Sequence, residues 1–220
     1  MPPGPHPFGG GRIGCWFIPS QNFSDKLRHR LPLVKPLGVT DIFLPRQATR
    51  ADKQLVRDAG YFAALYETPP SGMSPVEYAT QALEDIYDLA ISTLELNIEG
   101  IPDHLLSAYV RAVVVEIRKP KPHLRLRVNV VPWKGAYLPS DLFASDKQLY
   151  VIVQAYLGNV DVRVAEDEIV RDLVGNGIPD GRCSVMYGAH VGQPRVPSLP
   201  QIRYRGSIYQ DDLLADGGYL

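Results

Sequence analysis

Short apolar runs recur along the whole chain, and most are followed by a stretch with helical spacing. The runs cover residues 12–21, 39–47, 60–69, 93–100, 123–133, 148–158, 182–191 and 202–212. In "TLELNIEG" (93–100), Leu94, Leu96 and Ile98 alternate with Glu95, Asn97 and Glu99, the period of a strand with two distinct faces. In "HLRLRVNVVPW" (123–133), Leu124, Leu126, Val128 and Val130 form one set and Arg125, Arg127 and Asn129 the other. Between these runs, Thr49 can cap a helix that Gly60 stops. Ser74, Pro75 and Glu77 form an N-terminal helix signature, and Tyr78, Leu83, Ile86, Tyr87 and Ala90 continue it with helical spacing. A helix over 101–119 has Asp103 near its start and Arg118 and Lys119 at its end, which suits the helix dipole. Another covers 165–177. The segment after the first run is short and polar, and the links after the fifth and seventh carry little or no helix.

Eight strands alternating with mostly helical links imply parallel βαβ units. The count predicts an α/β fold, a compact (β/α)8 TIM-like barrel with some helices short or missing; an open doubly wound sheet is the alternative. No glycine-rich phosphate loop follows the first strand. Residues 1–11, rich in proline and glycine, predict an extended arm, and 12–220 a single barrel.

The chain has 220 residues, 45% hydrophobic and 21% charged, with net charge -1. That balance predicts no nucleic-acid partner, and no run is long and apolar enough for a membrane span. The N-terminus lacks the apolar core of a signal peptide. Cys15 and Cys183 read as buried free thiols, and no histidine pair has metal-binding helical spacing, so neither a metal nor a cofactor is expected.

A barrel of this kind places its ligand site at the C-terminal ends of the strands. For the first four strands the rule selects Gln21, Arg46, Gln47, Tyr66, Glu67, Asn97 and Glu99. For the last four it selects Asn129, Trp133, Lys134, Gln154, Tyr156, Tyr187, His190, Asp211 and Asp212. Of these, Gln21, Arg46, Glu67, Asn129, Trp133, Gln154, Tyr156 and Tyr187 form the expected binding set. Amides and carboxylates bond hydroxyls and flat rings stack on sugar faces, so the set leans toward carbohydrate. Glu95 faces Arg125 and Arg127 across neighbouring strands. It is expected to be a buried ion-pair partner, with its pKa lowered by the arginines.

Asn97-Ile98-Glu99 at the end of the fourth strand, with Gly14 and Gln21 near the first and Asp211 or Asp212 near the last, resembles the lysozyme-like muramidases of glycoside hydrolase family twenty-five. The resemblance implies a glycosidase barrel with Glu99 as general acid, assisted by Asn97 or Asp211. The sequence departs from the family where Asn97 replaces an aspartate and Trp16 stands at the aspartate position of the first strand. Asn97 cannot ionise, so it could only orient an acetamido group. The chain also resembles small tail and virion proteins of phages that infect actinobacteria, built on glycosidase-like barrels. Arginine outnumbering lysine, the proline-rich arm and the proline-spaced segment 193–201 agree with that setting. This implies a structural minor tail protein, made in the host cytoplasm, assembled with other tail subunits and binding host cell-surface glycan. An active glycoside hydrolase acting on peptidoglycan is the alternative, and a cellular sugar-binding barrel a third.

Overall fold

The computed structural model describes residues 13–17, 21–35, 38–154, 162–187 and 205–208. The expected arm, 1–11, lies outside them, as do Tyr156, His190, Asp211, Asp212 and the segment 193–201. Eight parallel strands follow in chain order: β1 Gly14–Trp16, β2 Asp41–Pro45, β3 Phe62–Glu67, β4 Thr93–Asn97, β5 Arg125–Val130, β6 Leu149–Gln154, β7 Cys183–Tyr187 and β8 Arg205–Ile208. Each pairs with the next, and β1 pairs with β8 through Gly14–Ser207 and Cys15–Ile208, closing the barrel. The helices are α1 Phe23–Val34, α2 Arg50–Asp58, α3 Pro75–Leu89, α4 Asp103–Arg118, the short α5 Ser140–Ser145 and α6 Val162–Gly175. After β5 a 3-10 turn, Pro132–Tyr137, precedes α5, so this link carries little helix, as expected.

The period-two pattern divides the apolar residues into two cores. Leu94, Leu96, Ile98, Leu126, Val128 and Val130 join one large cluster between strands and helices. Trp16, Phe43, Ala64, Ile152 and Met186, with Tyr66 against them, fill the inside of the barrel. Such an interior is a packed core rather than a channel. Gly14 belongs to it by necessity, since a Cβ there would collide with the Phe43 ring and lie 3.0 Å from the Arg127 guanidinium.

Local signals set the helix ends. Thr49 accepts from the Asp52 backbone N–H while Asp52 accepts from that of Thr49, and Ser74 and Glu77 repeat this reciprocal cap on α3. Gly60, with φ +86°, follows α2 in a backbone conformation that favours glycine. The segment after β1 departs from the expectation of a short polar link, because it forms the twelve-residue helix α1. Leu27, Leu31 and Val34 supply its buried face at helical spacing, and Pro32 is accommodated in its last turn. Cys15 and Cys183 are buried and free, and burial pushes the Cys183 thiol up to about 12.

Candidate functional site

Strand register decides which polar residues meet inside the barrel. Glu95 stands beside Arg127, and Asn97 beside Asn129. Asn129 in turn stands beside Ile152, two residues before Gln154 at the end of β6. The Arg127 guanidinium pairs with Glu95 at 3.2 Å, both side chains almost wholly buried, and stacks over the Phe43 ring at 4.8 Å. The Asn129 amide donates to the other Glu95 oxygen at 2.7 Å. Gln154 donates to the Asn129 amide oxygen at 2.9 Å and to the Glu99 carboxylate. A continuous polar chain thus runs from Arg127 in the core to Glu99, which is exposed beyond the end of β4.

The ion pair expected for Glu95 is present, but its electrostatics differ from the expectation. Complete burial raises the Glu95 pKa, outweighing Arg127, Asn129 and the Trp16 indole, which all favour the ionised form. The arginine expected to lower that pKa offsets only part of the lost hydration. Glu95 is therefore a fixed structural acid, shut away from any ligand at the mouth.

Lys134 holds the loop that carries Glu99. Its ammonium donates to the backbone carbonyls of Glu99 at 2.7 Å and Ile101 at 2.5 Å, and lies 3.4 Å from the Asp103 carboxylate. Asn97 lies at the top of the interior face of β4, and its amide oxygen is buried without a donor among the described residues. Trp16 and Tyr66 stack at 4.3 Å in near-parallel planes inside the barrel.

The remaining expected residues do not join this row. Gln21 lines a cleft of about 350 Å³ with Asn22, Gln47 and Asp52, between the starts of α1 and α2. Trp133 is 63% exposed and lines a cleft of about 460 Å³ between the turn after β5 and α6. Glu67 has the parity of Ala63 and Leu65, which pack in the outer core, so its side chain lies beneath α3. There Arg46 pairs with Asp85 at 3.1 Å. Burial and the neighbouring Asp85 carboxyl push Glu67 up to about 7, against the pull of Arg46 and Tyr78. The strand-end rule selects Glu67 and Arg46, but not Tyr78, Gln81 and Asp85. The period-two parity of β3 is the sequence signal that turns Glu67 toward α3. Tyr187 lies on β7, with its side chain outside the described part. Among the described residues, no cluster of His, Cys, Asp and Glu has the grouping of a metal site.

No family model matches the chain, and no curated protein matches it. Solved structures do. The spore cortex-lytic enzyme SleL of Bacillus cereus aligns with TM-score 0.60 and 10% identity, over 80% of this chain and 50% of that one. The catalytic domain of β-amylase from Paenibacillus polymyxa aligns with TM-score 0.58 and 8% identity over 94% of each chain. A D-allulose 3-epimerase from Methylomonas sp. aligns with TM-score 0.58 and 14% identity, over 90% of this chain and 83% of that one. The likeness is one of fold. This chain shares a barrel architecture with these three proteins, and spans about half the length of the SleL chain.

Proposed function

We propose that this protein binds cell-surface glycan without cleaving it, as a structural minor tail subunit of a phage virion built on a muramidase-like barrel. The observation that carries the glycan reading is the pair at the top of the polar chain, the exposed Glu99 carboxylate and the partly exposed Asn97 with its amide oxygen unmet among the described residues, with Glu99 held from below by the buried Asn129 and Gln154. Amides and carboxylates are the groups that match sugar hydroxyls. Similarity of fold to a cortex-lytic enzyme and a β-amylase is in keeping with such a ligand. Against cleavage stands the supply of acids. Glycosidases as a rule set two carboxyl groups about the scissile bond. In the row described here Glu99 is the exposed carboxylate, Asn97 cannot ionise, and Glu95 is locked to Arg127. The virion setting, with other tail subunits as partners, draws its support from the sequence: the proline-rich start, the proline-spaced segment 193–201 and the excess of arginine over lysine.

One observation favours a second reading, an active muramidase-like hydrolase. Glu99 is exposed just past the end of β4, positioned by Gln154 and by the Lys134-braced loop, where a general acid would stand, with Asn97 on the same strand to assist. Incubating the protein with actinobacterial cell walls, beside Glu99→Gln, separates the two. Binding to walls without release of reducing ends is expected, with weaker retention of Asn97→Ala. Release by the wild type and not by Glu99→Gln would establish the hydrolase instead. Absence of the chain from purified virions would overturn the virion setting.

A further inference from the structure

A second cluster of unmet polar groups lies outside the Glu95–Glu99 polar chain, on the helix side of β3. A cavity of about 300 Å³ opens between the ends of β2 and β3 and the first half of α3, lined by Arg46, Tyr66, Glu67, Tyr78 and Gln81. That volume is at the lower end for small-molecule pockets and about ten times the share of one water. Glu67 is 5% exposed and Tyr78 1%. Glu67 Oε1, the Tyr78 hydroxyl and the Gln81 amide oxygen are all buried, and among the described residues none has a partner at full hydrogen-bond geometry, although Asp85 and Tyr78 both lie close enough to Glu67 to act on it. Leaving such a group buried and unmet is destabilising. Three of them around one cavity mark a place where the chain awaits partners.

The chemistry of those partners follows from the groups. The Gln81 oxygen only accepts, while the Tyr78 hydroxyl both donates and accepts. Glu67 accepts when ionised and can donate when protonated. The charges nearby are already matched. Arg46 pairs with Asp85, and the buried Lys53 ammonium on α2 also acts on Asp85. A ligand that satisfies this set offers donors and acceptors on adjacent atoms and carries no charge. We propose that this cavity is a second binding site, taking a neutral polyhydroxyl group such as one edge of a sugar ring through Glu67, Tyr78 and Gln81. Tyr66 links it to the barrel interior, since its ring stacks on Trp16 and also lines the cavity. The site stands independently of any ligand at Glu99.

The test is a titration of the full chain followed by NMR, with the backbone amides of Thr68 and Gln81 as reporters. The probes are N-acetylglucosamine and glycerol, against n-propylammonium chloride and sodium acetate. Saturable shifts with the neutral probes are expected, weakened about fivefold in Tyr78→Phe and in Gln81→Ala, as for loss of one hydrogen bond. Thermal melts of both variants establish that they fold; Gln81 is only partly buried, so its replacement preserves the helix. Absence of a saturable shift with any probe would show a cavity that holds water alone and overturn the proposal. Shifts with only the ammonium or only acetate would overturn its chemistry. Shifts abolished by Glu99→Gln but untouched by Tyr78→Phe would move the ligand to the mouth and overturn the second site.

Discussion

Glu67 carries a proton to a higher pH in the folded chain than it does unfolded. Its ordinary value is 4.5, and in the fold it is pushed up to about 7, by burial first and then by the Asp85 carboxyl. Below about pH 4.5 the group is protonated in both states and does not discriminate between them. As pH rises through the window from about 4.5 to 7, the unfolded chain releases the proton and the folded chain retains it, so folding stability falls. The difference is on the order of 2–3 kcal/mol across that window. Urea titrations at a series of pH values should show this loss in the wild type and a flatter profile in Glu67→Gln. Glu95, raised by the same physical cause, contributes a slope of the same sign to both proteins, so the comparison isolates Glu67. Identical profiles would show that Glu67 does not titrate as described. At this scale the sequence carries the pairing of Glu95 with the β5 arginines through strand parity alone. The direction of its pKa depends on how completely the barrel excludes water, a property of the closed fold that neighbouring residue types do not convey.

At the scale of elements, the legible parts are those with a local physical cause. The caps at Thr49 and Ser74 and the stop at Gly60 need only their near neighbours in sequence, and each stands where the sequence places it. α1 was less legible, since its polar composition and Pro32 mask a buried stripe of three residues. Its anchoring is also tertiary. The Ser24 hydroxyl donates to Asp52 at 2.5 Å, so the cap of α2 also fastens the start of α1. Burial pushes the Asp52 pKa up, but the bonds from Ser24 and Thr49 outweigh it and hold the carboxyl below its usual value. Asp52→Ala therefore loses a reciprocal cap and a link between helices, whereas Ser74→Ala loses an exposed cap alone. Urea denaturation should give about 1 kcal/mol for Ser74→Ala and about 2 kcal/mol or more for Asp52→Ala. Equal losses would mean that the bond to Ser24 contributes nothing.

The whole barrel is organised around a charged core, and this is where its fold and its mouth become one problem. Eight strand-like runs in the sequence suffice to count the barrel, and the parity of β4 and β5 suffices to put Glu95 and Arg127 inside it. The register that joins them to Asn129, Gln154 and Glu99 follows from the tilt and stagger of a closed sheet, which no single strand encodes. A buried ion pair is costly to break by halves, because the remaining charge loses its partner without regaining water. Arg127→Met should thus cost about 3–5 kcal/mol, and Glu95→Met a similar amount, while the double replacement should restore much of that loss. A urea-denaturation double-mutant cycle reads this directly, and additive losses would show that the pair is not coupled. The same cycle bears on ligand binding. Glu95 accepts from Asn129, which accepts from Gln154, which holds Glu99, so removing both core charges frees the lower end of the chain without touching the mouth. If that chain positions the rim, the double variant should be folded yet retained less well on cell walls than the wild type. Retention equal to wild type would mean that Gln154 and the Lys134-braced loop set Glu99 without help from the core.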